Sequence, residues 1–182
     1  TIVAPRNAQR LRDFLYTFQL RPHGPIAIRY PRGYSQIEKV NESFEDLNLY
    51  RAYKIKSGKT IAVLSLGTLF ENVEEAINNS DFSEEFSHYS FEFVYPLDKK
   101  TLNDVFNNYS SVITIEEGAI KGGFGSALME FAQTNNYMKK IKSLGVPHEF
   151  ITHGDPDILY ESINLSSNKI QKQIEEVLSS KK

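Results

Sequence analysis

Between Ser111 and Met129 the chain reads SVITIEEGAIKGGFGSALM, and this stretch constrains the fold more than any other. Val112, Ile113, Thr114 and Ile115 form a β-branched run that predicts a buried strand. Gly122, Gly123 and Gly125 follow in a loop, and Phe124, Ala127, Leu128 and Phe131 then recur at helical spacing. Strand, glycine loop and helix form half of a βαβ unit. Free N–H groups at such a helix start can hold a phosphate, but GGFG lacks the Lys-Ser/Thr of a P-loop and the GxGxxG spacing. Close packing of the helix on the sheet or on a second subunit is therefore the preferred reading. Glu116 and Glu117 are adjacent, so on a strand they face opposite ways and cannot serve one substrate as an acid/base pair. They are read as the polar end of a strand.

The flanking sequence repeats the strand–helix alternation. Arg51–Lys56 reads as an edge strand, Thr60–Leu66 as a buried strand, and Leu69, Val73, Ala76 and Ile77 as one apolar helix face. Thr68 and Glu71 have capping-box spacing. Ser90–Val94 reads as a strand ended by Pro96. Leu102, Val105, Phe106 and Tyr109 mark a helix, Lys140–Leu144 a strand, and Asn168–Leu178 a final helix. The expected fold is α/β, with three α/β/α layers around a mainly parallel five-stranded sheet. Ahead of it, Thr1–Pro5 reads as a strand end. Ala8, Leu11, Leu15 and Phe18 read as a helix face, and Ile26–Ile28 as a short buried strand delivering Arg29, Tyr30, Pro31 and Arg32 at its carboxyl end. So small a segment cannot bury a core by itself, so it reads as the last helix and strand of a second α/β domain. Tyr34–Leu49 is polar and reads as a linker or an extended crossing segment. The chain opens on Thr1, which predicts a piece of a longer protein.

Charge and composition exclude several classes of function. Of the 182 residues 24% are charged, yet the net charge is only −2, so nucleic acid or an anionic membrane has no general electrostatic hold. No apolar run approaches the roughly 18 residues of a membrane span. There is no cysteine, which removes disulfides, thiolate nucleophiles and cysteine–metal sites and fits the cytoplasm. His23, His88, His148 and His153 lack ligand spacing, so no metal site is expected and each is read as a surface or packing residue.

Four segments carry a family resemblance: GPIAIRYPRG at Gly24–Gly33, FEFVYPLD at Phe91–Asp98, ITIEEGAIKGGFGSALMEF at Ile113–Phe131 and LGVPHEFITHG at Leu144–Gly154. In this order the chain resembles the carboxyl-terminal portion of the 1-deoxy-D-xylulose-5-phosphate synthase family, thiamine-diphosphate enzymes of the transketolase superfamily. The resemblance implies that residues 1–34 are the tail of a pyrimidine-binding domain, 35–48 a linker, and 49–182 a transketolase-like C-terminal domain that supports a homodimer. It implies an intact enzyme that condenses pyruvate with glyceraldehyde 3-phosphate, with thiamine diphosphate and Mg2+ held by residues upstream. In this segment it implies no catalytic, cofactor or metal residue, and no activity of the segment alone. One substrate contact is implied: Arg32 matches the family's phosphate-gripping arginine, and a planar guanidinium suits that task. Arg29 is the second choice. The chain departs from the family pattern at Arg6–Gln9, Tyr95 and His148, and none of these touches Arg32. Two other readings stay open: another transketolase-superfamily enzyme (transketolase, or a 2-oxo acid dehydrogenase β subunit), and a non-catalytic α/β module that binds a partner protein.

Overall fold

The computed structural model describes residues 1–21, 24–31 and 40–180. Its main sheet has five strands in the order β3-β5-β4-β7-β8, where β3 is Tyr53–Lys56, β4 Ile61–Leu66, β5 Phe86–Phe91, β7 Ser111–Ala119 and β8 Lys140–Val146. All neighbours are parallel except β3, which runs antiparallel on the outer edge of β5. Side chains of β4 point alternately to two cores, so the whole strand, Ser65 included, is buried on both faces. On one face lie helices α3 (Lys99–Asn108) and α4 (Phe124–Thr134), with Leu102, Phe106, Phe124 and Leu128 packed on Leu64 and Val112. On the other lie α2 (Phe70–Asn78) and α6 (Ser167–Ser179), with Val73, Ile77, Ile170 and Ile174 packed on Val63 and Ile113. This is the expected three-layer arrangement. A short helix, α5 (Pro156–Ser162), was not in the sequence reading; Asp155 caps it and Pro156 occupies its first turn.

A smaller sheet joins the amino-terminal segment to this unit. Its order is β2-β1-β6, with β1 at Ile2–Val3, β2 at Ala27–Ile28 and β6 at Phe93–Tyr95. β1 pairs parallel with β2 and antiparallel with β6, so a strand from the carboxyl-terminal unit completes the amino-terminal sheet. Between β1 and β2 runs helix α1, Ala8–Leu20, capped by the Asn7 side chain.

Three local expectations are corrected. The strand assigned to Ser90–Val94 begins at Phe86 and breaks at Glu92, because Ser87, His88 and Ser90 are polar yet fully buried in a central strand. β2 is an exposed edge, not a buried strand. In α1 the buried face is Arg10, Asp13, Phe14 and Thr17, while Leu15 is 49% exposed. The segment from 40 to 49, part of the stretch read as a linker or an extended crossing segment, forms no regular element and is strapped to α1. Thr17 accepts the Leu47 amide at 2.9 Å, Asp13 accepts the Glu45 amide at 3.1 Å, and Leu47 is buried beside Val3, Phe14 and Phe93.

Candidate functional site at the carboxyl edge of the sheet

The chain leaves β4 toward β5 on one side and later returns to β7 on the other, so its winding reverses at β4. In open α/β sheets the crevice at the carboxyl ends of such strands is where ligands bind. Here that edge gathers the Gly67–Leu69 turn after β4, Glu116 to Gly118 at the end of β7, and Arg29 reaching across from β2.

The two adjacent glutamates diverge, as strand alternation requires. Glu116 is 2% exposed and turns to the start of α4, where its carboxylate accepts the amides of Phe124 and Gly125, both at 2.9 Å. The carboxylate also lies at the positive end of the helix dipole. The loop that resembles an anion site is thus filled by the protein's own anion, and a diphosphate does not fit there. Glycine is needed for this approach: a Cβ on Gly123 would collide with Glu116 and the Ala119 carbonyl, and one on Gly125 with Ser143. The packing reading of GGFG holds.

Glu117 turns the other way and is half-buried. It accepts the hydroxyl of Thr68 at 2.6 Å and that of Tyr160. Burial, followed by the Glu117 contact, raises the Tyr160 phenol above its ordinary range. Thr68 therefore does not close the expected capping box; α2 begins through a 3-10 turn with no side-chain cap. Glu71, the box's other member, has its carboxyl raised by burial and by Glu74.

Arg32, the first choice for a substrate contact, lies outside the described residues, as does His23. Arg29 is placed clearly. Its amide donates to Val3 at 2.8 Å, and its exposed side chain lies over the strand ends of the other sheet. A Cβ on Gly118 would sit 3.2 Å from Arg29 Nη1, and one on Gly67 3.6 Å from Nη2. Gly67 has φ +67°, and a Cβ there would also sit 3.3 Å from the Ala4 Cβ. Among the described residues the Arg29 guanidinium has no hydrogen-bond or ion-pair partner.

Several buried polar residues escaped the sequence reading. Glu92 is wholly buried and takes the Arg10 guanidinium through Nε at 2.9 Å and Nη2 at 2.6 Å, besides the Arg6 amide at 3.2 Å. Burial works to lower the Arg10 pKa, but the hydrogen bonds and charge of Glu92 prevail and raise it. The pair is 82 residues apart in sequence, and no local pattern announces it. His88 is buried, with Nε2 2.8 Å from Ser65 Oγ and its ring stacked on Phe70. Burial, then the nearby Arg6 charge, lowers its pKa to about 3, so it is a neutral packing group. His148 and His153 are exposed. Among the described residues no three His, Asp or Glu gather to hold a metal ion, and no helix is long and apolar enough to cross a membrane.

Residues 51–170 match the family model of the transketolase C-terminal domain. The chain is similar to 1-deoxy-D-xylulose-5-phosphate synthases: 39% identical over 174 residues to that of Azobacteroides pseudotrichonymphae, covering 94% of this chain and 28% of the relative. It is 35% identical over 173 residues to that of Phocaeicola vulgatus, covering 94% and 27%. The chain thus spans about a quarter of the length of these curated relatives. Among solved structures, a split-gene transketolase described as an inactive β4 tetramer superposes with TM-score 0.80 at 22% identity, covering 98% of this chain and 56% of the other. A transketolase from Campylobacter jejuni superposes with TM-score 0.63 at 17% identity, covering 96% and 26%. These last two likenesses speak to the fold.

Proposed function

Since this chain belongs to the transketolase C-terminal domain family, we propose that it is the carboxyl-terminal part of a thiamine-diphosphate-dependent 1-deoxy-D-xylulose-5-phosphate synthase, one that condenses pyruvate with glyceraldehyde 3-phosphate and releases carbon dioxide. The observation that carries this reading is the similarity to curated synthases over nearly the whole chain. The cofactor, bound with Mg2+ by residues upstream, would supply the electron sink for decarboxylation. At the start of α4, whose glycine loop resembles a diphosphate cradle, Glu116 takes the two amides a phosphate would use.

In this reading residues 1–34 close a pyrimidine-binding domain, 35–48 lead out of it, and 49–182 form the third domain of a cytoplasmic homodimer. The β1–β6 pairing and the Arg10–Glu92 contact tie the first of these to the third. The chain's own chemical contribution is then a phosphate grip by Arg32, four positions beyond Ile28, the last residue of β2. By itself the chain would have no synthase activity.

The deciding experiment is Arg32→Ala in the intact enzyme, assayed with pyruvate and either glyceraldehyde 3-phosphate or unphosphorylated glyceraldehyde. Loss of a charge-assisted bidentate contact should lower kcat/KM for the phosphorylated acceptor by ~100-fold or more, and for the other far less. Equal losses would make Arg32 a structural residue. A wild-type enzyme that is inactive on this pair would defeat the synthase reading itself.

A further inference from the structure

Phe150 is 93% exposed and Ile158 70%. Single apolar side chains at a surface are ordinary, but these two sit on a segment that has little else to hold it. From His148 to Ile158 every residue except Ile151 is exposed. Among the described residues, those from 148 to 154 make no hydrogen bond or ion pair with another element. The helix that follows, α5, buries no residue of its own. It is fixed at its far end, where Tyr160 and Ile163 pack against the core beneath α2 and α6 and the Tyr160 hydroxyl donates to Glu117. An arm held only at its two ends costs ordering entropy that no contact among the described residues offsets.

The arm stands where the amino-terminal segment meets the five-stranded unit. Arg29 Nη1 lies 3.2 Å from the position of a Gly118 Cβ, and the preceding Glu117 holds Tyr160, so the end of β2 and α5 are neighbours. Tyr30, which follows Arg29, is 64% exposed. The bare apolar residues therefore adjoin the junction that β1 and β6 make. The chain covers only 28% and 27% of the length of the two curated synthases compared above. If this chain ends such a protein, most of the polypeptide lies outside it and is continuous with the amino-terminal segment, whose β2 is an exposed edge. That bulk is close enough to lie over the arm. The arm's own rim is acidic, with Glu149, Asp155 and Asp157 around the two apolar side chains.

We propose that the arm from His148 to Ile158 docks the five-stranded unit onto the preceding part of the same polypeptide, with Phe150 and Ile158 as its apolar anchors. The surface that receives it is apolar at the centre, with basic side chains facing Glu149, Asp155 and Asp157. This contact is separate from the β1–β6 pairing and from the substrate grip. Of the proposed function, it rests only on the chain being part of a longer protein.

The test is hydroxyl-radical footprinting of the intact wild-type protein, with the oxidation rate of each side chain normalised to that of the same residue in the urea-unfolded protein. Phe150 and Ile158 should be oxidised at least tenfold more slowly in the folded protein. A hundredfold dilution should leave that protection unchanged, because the covering surface belongs to the same polypeptide. Oxidation at nearly the unfolded rate overturns the proposal. Protection that disappears on dilution also overturns it, since the occupant is then a second copy. A protein that protects the arm but has no synthase activity would defeat the synthase reading and leave this contact standing. An active synthase with an unprotected arm would do the reverse.

Discussion

The segment of β1, α1 and β2 and the five-stranded unit that follows both bury a helix face, by different means. In the larger unit α3 presents Leu102, Val105 and Phe106, and α2 presents Val73, Ala76 and Ile77, to apolar strands. In the smaller one α1 presents Arg10, Asp13 and Thr17 beside a single aromatic, Phe14. Among the described residues its buried apolar cluster is Val3, Phe14, Leu47 and Phe93, and two of those four come from outside the β1–α1–β2 segment. Where apolar area is scarce, hydrogen bonds to buried groups hold the parts in register, and each such group must then keep its partner.

Glu92→Gln tests this contrast most severely. Removing one charge of a buried pair should cost ~3–5 kcal/mol in denaturant unfolding, comparable to deleting a core ring by Phe106→Ala. A cost below about 1 kcal/mol would mean that the amino-terminal segment is not anchored by this contact. Glu116→Gln is expected to cost roughly 2 kcal/mol, since one of two amides at the start of α4 would face an NH2 group and the helix dipole would lose its counter-charge. The thermal midpoint should fall accordingly, while α2 and α6 keep their hydrogen-exchange protection.

A smaller effect is expected from pH. His88 in the fold has its pKa lowered to about 3 from an ordinary 6.5. As pH falls below about 6.5 the unfolded chain takes up a proton that the folded one refuses, so stability declines with falling pH through that window. Unfolding measured at pH 7 and pH 5 should show this slope in wild type and a shallower one in His88→Gln. The smallest effect belongs to Leu15→Ala, expected within about 0.5 kcal/mol because Leu15 faces solvent. A loss of 2 kcal/mol there would restore the apolar face read from the sequence.

These differences explain which parts of the molecule the sequence discloses. Val112 to Ile115 and the faces of α2, α3 and α6 were legible because burial there is apolar, and apolar burial leaves a period of two or 3.6 residues. The strand at Phe86 was missed for the converse reason: Ser87, His88 and Ser90 look like loop residues until Tyr109 and Ser65 are seen hydrogen-bonding to the first two. The face of α1 was misassigned because its partners are Glu92 and the backbone of the 41–47 segment, both remote in sequence. At the candidate site, the divergence of Glu116 and Glu117 followed from alternation alone. Their acceptor roles did not, and neither did the placement of Arg6 on Phe70.

The antiparallel pairing of β1 with β6 has a consequence for how the protein tolerates being cut. The amino-terminal strand is gripped on one side by β2, which follows α1, and on the other by a strand some ninety residues away, with the Arg10–Glu92 contact added to the second grip. A nick in the exposed stretch from Asn41 to Phe44 would leave those grips, the α1 cap and the buried Leu47 in place. Two polypeptides divided there would remain assembled as one body, so a gene interrupted at that point could still deliver a working fold.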